Sequence, residues 1–131
     1  MDATKLLIEQ AAAQIHASSK ALASLDEQMR KLAETLPEYP VVMEMYGVGS
    51  RLGSQLIAEI GDVRRFHSKA ALLTYAGVDA PPYQSGTVDV RSRSITKRGS
   101  PVLRRTLFLI MSALLQNAPQ DQPVYQFMDY K

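Results

Sequence analysis

The chain has 131 residues and a formal net charge of +2, with no cysteine and two histidines. This length suits one domain with a modest core, and the missing cysteines exclude disulfides and thiolate metal sites. Two separated histidines are too few for a zinc site. No segment approaches the roughly 20 apolar residues that span a bilayer, and the N-terminus lacks a signal-peptide layout. We therefore expect a soluble, cytoplasmic protein without membrane association.

The first predicted element is a long helix. Apolar or small residues recur in steps of three and four from Ile8 to Leu36, as in a coiled-coil seam. The helix should end at Pro37 and Pro40, after about 30 residues or about 45 Å. Because a small domain cannot cover that length, we assign residues 1–38 to a coiled-coil helix that forms a homo-oligomer or packs between domains. An amphipathic helix packed on its own domain would give the same pattern.

Residues 39–131 are predicted to form a helical domain that begins with a helix, a tight Gly47-Val48-Gly49 turn and a second helix ending at Gly61. The turn resembles the helix-hairpin-helix motif of DNA-repair proteins, in which free N–H groups at a helix start bind a phosphate. Gly47, Val48, Gly49, Ser50 and Arg51 would form that contact, with Val48 anchored in the core and Ser50 as the helix cap. A purely structural hairpin would look the same.

Three further elements complete an all-α prediction. A short helix should begin after Ser68 and stop at Gly77, followed by an irregular loop in which Val88 and Val90 suggest a short extended piece. Ser100 and Pro101 mark the start of the next helix, which should end near residues 117–119. The apolar tail predicts a final short helix packed back on the core.

The loop and the helix after it are strongly basic. No acidic residue occurs from 90 to 120, whereas six positive side chains lie within residues 91–105. Crowded cations repel one another, and a nucleic-acid backbone relieves that repulsion and releases its own counterions. Nucleic acid is therefore the predicted partner, although a solvated basic face is the alternative. The candidate contacts are Arg91, Arg93, Lys97, Arg98, Ser100, Arg104 and Arg105.

Ser85 is followed by Gly86 in a turn that precedes the basic residues. Most such serines only form turns, and a nucleophilic serine needs a base or positive charge to activate it. No Ser-His-Asp set is available, so only the arginines could supply that activation. From residue types alone, Ser85 is a weak catalytic candidate.

Several segments taken together resemble one known family, the bridge-RNA-guided insertion-sequence transposases. Those proteins are serine recombinases with an N-terminal RNase-H-like domain carrying four acidic residues, and the resemblance is to their C-terminal domain. It covers about residues 39–116, and the helix before it resembles the family's coiled-coil linker. The matching segments are Gly47-Val48-Gly49, Ala76-Gly77-Val78-Asp79, Gln84-Ser85-Gly86, Thr96-Lys97-Arg98-Gly99-Ser100 and Leu103-Arg104-Arg105.

The resemblance implies that Ser85 is the nucleophile that attacks DNA, with Ser100 as its rival. Lys97, Arg98, Arg104 and Arg105 would hold the backbone of DNA or guide RNA. A divalent metal, Mg²⁺, is expected in the acidic domain and no cofactor in this chain, because its acidic residues lack the spacing of that domain. We accordingly expect this chain to be part of a transposase, either made for expression or encoded by a truncated reading frame. We expect no DNA strand cleavage from it alone.

Two other functions remain open from the sequence. The chain could be a non-catalytic DNA- or RNA-binding module in which the serines only cap helices and form turns. It could also be an interaction module that acts through its coiled coil. The target sequence is not readable from the residues, because that family takes its sequence choice from a guide RNA.

Overall fold

The structure, a computed structural model, describes residues 2–80, 84–85, 88–89 and 94–130. Its described elements are six helices, a 3₁₀ turn and two two-residue strands. They are α1 (Ala3–Ala33), α2 (Tyr39–Met43), α3 (Ser50–Ile60), the 3₁₀ turn Val63–Arg65, α4 (Lys69–Ala76), β1 (Gln84–Ser85), β2 (Val88–Asp89), α5 (Pro101–Asn117) and α6 (Pro123–Asp129). The predicted all-α class is confirmed, and none of the helices in these ranges is long and apolar enough to cross a membrane.

Helix α1 begins near the predicted start and ends earlier than the sequence predicted. The Asp2 carboxylate accepts a hydrogen bond from the Thr4 N–H at 3.1 Å, which caps the helix ahead of Ile8. At the other end, Thr35 and Leu36 donate to carbonyls three residues back, so the chain has tightened into turns before Pro37. The cause is that proline disfavours helical backbone in the residue before it.

Most of α1 is exposed in the single chain. Its last turns pack on α3, where Ala33 is buried, whereas Ile15, Leu22 and Leu25 are more than half exposed. The packed end fits the reading of an amphipathic helix on its own domain. A coiled coil requires such an exposed apolar seam, and its pairing with a second helix stays a prediction.

The core lies between α3 and α5. Leu103 and Thr106 of α5 are 1% and 0% exposed, and Leu103 packs with Leu56 of α3 and neighbouring apolar side chains. The Thr106 hydroxyl donates to the Val102 carbonyl at 3.0 Å, so its polar group is satisfied inside the core. Val48 is 8% exposed and belongs to this cluster, which confirms the predicted anchoring of the turn.

The prediction that the tail packs back on the core was wrong for most of its apolar side chains. Helix α6 forms, but Val124, Phe127 and Tyr130 are 46%, 63% and 94% exposed. Local hydrogen bonds explain this position: the Gln122 side chain caps α6, and the Gln126 side chain donates to the Gln120 carbonyl at 2.7 Å. These two bonds join α6 to the segment that connects it with α5.

Candidate nucleic-acid interface

The Gly47-Val48-Gly49 turn lies against α5. Gly47 has φ +82°, and a Cβ atom there would lie 3.0 Å from the Ile110 carbonyl oxygen. Gly47 therefore combines a positive φ with a close approach to the backbone of α5, and both favour glycine at this position. Gly49 differs, with φ −86° and no atom within 4 Å of a Cβ atom built on it. Only one of the two glycines is required by backbone geometry.

The start of α3 carries no side-chain cap. Ser50 was predicted as the cap, but it is the first helical residue, and Gly49 with its extended backbone occupies the cap position. No side chain therefore occupies the first N–H groups of α3, which is the arrangement a phosphate contact would use. Arg51 forms an ion pair with Asp26 of α1, with Nε 3.1 Å from Oδ2. Its charge is already partly neutralised, which the sequence did not predict.

A second group of candidates is held at the end of α4. The backbone N–H groups of Thr96, Lys97 and Ser100 donate to carbonyls of Asp79, Gly77 and Tyr75, at 3.0, 3.0 and 2.6 Å. The Thr96 hydroxyl also donates to the Asp79 carboxylate at 2.6 Å. These bonds fasten the segment before α5 along the last residues of α4.

Two glycines allow this close contact. Gly77 ends α4 with φ +69°, and a Cβ atom there would lie 2.7 Å from the backbone nitrogen of Gly99. A Cβ atom on Gly99 would overlap the Tyr75 carbonyl. The two backbones touch where neither residue has room for a side chain. This contact fixes the position of Lys97 and Arg98 relative to α4.

Ser100 caps α5, as predicted. Its side-chain oxygen accepts from the Leu103 N–H at 3.1 Å, and Pro101 occupies the first turn. The hydroxyl also makes a long hydrogen bond of 3.4 Å to the Glu59 carboxylate of α3. Pro101 has no N–H to donate, and the carboxylate of Glu59 repels anions. The first turn of α5 is therefore a weaker anion site than the sequence suggested. A phosphate contact by Ser100 stays a prediction.

The basic residues around this helix start differ in their partners. Arg104 is partly buried, and its Nη1 donates to the Ala76 carbonyl at 3.3 Å, so it braces the end of α4. Lys97, Arg98 and Arg105 are exposed, and none of the carboxylates in the described ranges lies within ion-pair distance of them. We call these three residues, Lys97, Arg98 and Arg105, the basic surface.

The two candidate groups lie at opposite ends of α3. Gly49 precedes the first residue of α3 and Gly47 contacts α5 near Ile110, whereas Glu59 lies close to the end of α3 and contacts Ser100 at the start of α5. Ten residues of helix separate Gly49 from Glu59, or about 15 Å. A single phosphate cannot bridge this separation, so the turn and the basic surface would contact different positions of a nucleic acid.

Ser85 is the second residue of β1, where it pairs with Val88 of the antiparallel strand β2. The predicted extended piece is confirmed at Val88, whereas Val90 lies outside the described residues. The backbone of Ser85 is described but its side chain is not, and Arg91 and Arg93 lie outside the described residues. Their predicted roles therefore remain predictions.

A family model described as Transposase IS116/IS110/IS902 family matches residues 39–126. The chain belongs to this family. It is 31% identical over 102 residues to the insertion element IS110 uncharacterized 43.6 kDa protein of Streptomyces coelicolor, covering 78% of this chain and 25% of that protein. It is 28% identical over 98 residues to the transposase for insertion sequence element IS1111A of Coxiella burnetii, covering 75% and 27%.

The chain thus spans about a quarter of the length of these relatives. All candidate residues lie inside the part that matches the transposase family, whereas α1 lies before it. Within the described ranges, no three His, Cys, Asp or Glu side chains are grouped so that they could hold a metal ion. The resemblance places the divalent metal in the separate acidic domain and not at these residues, so no chemical step is assigned through it here.

Sequence reasoning missed two features of this transposase domain. Glu59 lies beside Ser100, 41 positions away in sequence. Arg65, the last residue of a 3₁₀ turn that is capped by Asp62, stacks on two aromatic rings. The backbone N–H of Arg64, followed by its guanidinium, lowers the pKa of the Asp62 carboxyl. An Asp two residues before a basic residue is a turn signal that could have revealed this element.

Proposed function

We propose that the chain is the C-terminal DNA-binding and recombination domain of an insertion-sequence transposase. The observation that carries this proposal is the basic surface of Lys97, Arg98 and Arg105, whose charges have no carboxylate partner among the described residues. The family membership supports DNA as the polyanion. Neutralising phosphates releases counterions, so binding should weaken steeply with salt.

The test is binding of the chain to duplex DNA and to a hairpin RNA, measured by fluorescence anisotropy over a salt series. The variant carries Lys97→Gln, Arg98→Gln and Arg105→Gln. A matched control carries Lys5→Gln, Lys20→Gln and Lys31→Gln on α1, which removes the same charge outside the family match.

The slope of log affinity against log salt should fall by about 3 in the first variant, near 0.9 for each lost phosphate contact. The α1 control should change it much less. If both variants lose affinity equally, net charge alone governs binding and the basic surface is not the contact. Absence of binding by the wild-type chain at low salt would contradict the proposal.

The catalytic part of the proposal assigns Ser85 as the nucleophile. Its hydroxyl oxygen would form a bond to a DNA phosphorus while one phosphodiester P–O bond breaks, giving a phosphoserine link. The serine proton leaves to a base, and the released sugar oxygen gains a proton. Support comes from the resemblance of Gln84-Ser85-Gly86 to the family pattern and from the capping of Ser100, which accounts for that rival serine without catalysis.

A chimeric transposase tests this assignment. Residues 39–126 would replace the matching part of the Coxiella burnetii relative, and recombination would be compared for wild type, Ser85→Ala and Ser100→Asn. Asparagine keeps the helix cap and removes the hydroxyl. With an active wild-type chimera, only Ser85→Ala should abolish the covalent link. Retained recombination in Ser85→Ala would favour the non-catalytic binding module.

Two partners complete the proposal. A guide RNA would bind the same phosphate contacts, and the RNA arm of the salt series tests it directly. A homo-oligomer through α1 is supported by the exposed seam containing Ile15, Leu22 and Leu25. Sedimentation of the chain with Ile15→Ser and Leu22→Ser should show a smaller species than wild type if the seam is the interface.

A further inference from the structure

Arg65 is stacked on two aromatic side chains. Its guanidinium carbon lies 4.7 Å from the centre of the Phe66 ring and 4.6 Å from that of Tyr75. The two rings lie 5.3 Å apart with planes tilted by 52°. A guanidinium held on aromatic faces keeps its N–H edge for a ligand and loses little freedom on binding. The geometry is that of a preorganised cation.

The adjacent Arg64 has a carboxylate partner, which Arg65 lacks within the described ranges. Arg64 Nε lies 3.0 Å from the Asp62 carboxylate, and this carboxylate also accepts the Arg64 backbone N–H. No carboxylate of the described residues lies within ion-pair distance of Arg65. Two neighbouring arginines therefore have the same charge and different local neutralisation.

Tyr75 connects Arg65 to the basic surface. The ring that supports Arg65 belongs to the residue whose carbonyl accepts the Ser100 N–H at 2.6 Å. The Tyr75 hydroxyl also donates to the Glu59 carbonyl at 3.4 Å. Arg65 thus contacts the side chain of the residue whose backbone binds the start of α5, and the backbone of Lys97 is bound two residues further on, at Gly77.

We propose that Arg65, held on Phe66 and Tyr75, is a further phosphate contact, over which a nucleic-acid backbone continues from Lys97 and Arg98. The inference rests on the proposed nucleic-acid binding and extends it to a residue of the 3₁₀ turn. The ligand chemistry is a phosphodiester, which DNA and RNA share. Phosphate is favoured over a stacked base because the aromatic rings already occupy a face of the guanidinium.

Arg65→Gln and Arg64→Gln form a matched pair, since each removes one positive charge at adjacent positions. Binding to duplex DNA and to a hairpin RNA is measured over a salt series. Arg65→Gln should weaken binding about tenfold at low salt and reduce the salt slope by about 1. Arg64→Gln should weaken it less than about twofold, because that charge is already paired. Whichever nucleic acid shows this difference is the source of the phosphate.

A second measurement uses the unmodified protein, so it does not depend on a variant that folds. The bound nucleic acid should protect Arg65 from phenylglyoxal, an arginine-selective reagent, as read by peptide mass spectrometry, while Arg64 keeps its reactivity. Equal affinity losses in the two variants, or no protection of Arg65, would overturn the inference.

The outcomes separate this inference from the proposed function. If the triple variant of the basic surface loses binding while Arg65→Gln behaves like Arg64→Gln, the inference fails and the proposed function stands. If the wild-type chain binds neither nucleic acid, both fail.

Discussion

Replacing Gly47 by alanine should destabilise the domain by about 2 kcal/mol. Gly47 has φ +82°, and positive φ costs about 1–2 kcal/mol in a residue with a Cβ atom. The new Cβ atom would lie 3.0 Å from the Ile110 carbonyl oxygen and 3.3 Å from the Leu114 nitrogen. Both atoms belong to the backbone of α5 at buried residues, which gives little, so the contact adds about 1–2 kcal/mol.

An opposing effect comes from the unfolded chain, which loses about 0.4–1 kcal/mol of conformational freedom with alanine in place of glycine. The sum leaves a loss of about 2 kcal/mol, or a fall in Tm of about 8 °C for a domain of this size. Helical circular dichroism during urea and thermal unfolding measures both quantities.

Gly49→Ala is the matched control in the same turn. Gly49 has φ −86°, and no atom lies within 4 Å of a Cβ atom built there. Its free energy of unfolding should change by less than about 0.5 kcal/mol, because the loss of about 0.7 kcal/mol from the poorer alanine cap is offset by about 0.4–1 kcal/mol from the less flexible unfolded chain. Equal losses in the two variants would refute the argument that the contact with α5, and not the turn itself, requires glycine at position 47.

Three further predictions concern the candidate interface. Ser100→Ala should lower the free energy of unfolding by about 1 kcal/mol in urea, and Ser100→Asn by less than half as much, because asparagine still caps α5; equal losses would contradict capping. Gly99→Ala should lower it by about 2 kcal/mol and weaken DNA binding, since the added methyl displaces the backbone carrying Lys97; an unchanged Tm would contradict this. Because Arg64 lowers the pKa of Asp62, the stability this carboxylate contributes is present above its unfolded pKa of about 3.9 and is lost as pH falls through the lower folded pKa. NMR titration should show that low pKa and its rise in Arg64→Gln, and an ordinary pKa in the wild type would contradict the contact.

The turn and the basic surface should contribute independently to nucleic-acid binding. The two groups lie about 15 Å apart along α3. Variants at Arg51 and at Arg98 should therefore affect different phosphates and give additive losses, as distant positions do. Arg51 should contribute less, because Asp26 already pairs with it.

Local sequence signals predicted both ends of α4 and the start of α5 correctly. Ser68 caps α4, Gly77 ends it in a left-handed conformation, and Ser100 with Pro101 starts α5. Each of these signals acts through hydrogen bonds or backbone preferences within three or four residues, so the sequence contains the whole cause. The wrong prediction at α6 has a related cause. An apolar pattern in the sequence predicts that a face is buried, but it does not specify which surface covers that face.

The amino-acid sequence by itself determined the helical class, the capped ends of α4 and α5, and the concentration of positive charge near α5. Only the tertiary structure decided that Gly47 touches α5, that Glu59 reaches Ser100, and that Arg65 rests on Tyr75. The physical reason is that these contacts join residues distant in sequence. They exist only when α3, α4 and α5 have packed around Leu103, and burial of that shared core fixes their relative positions.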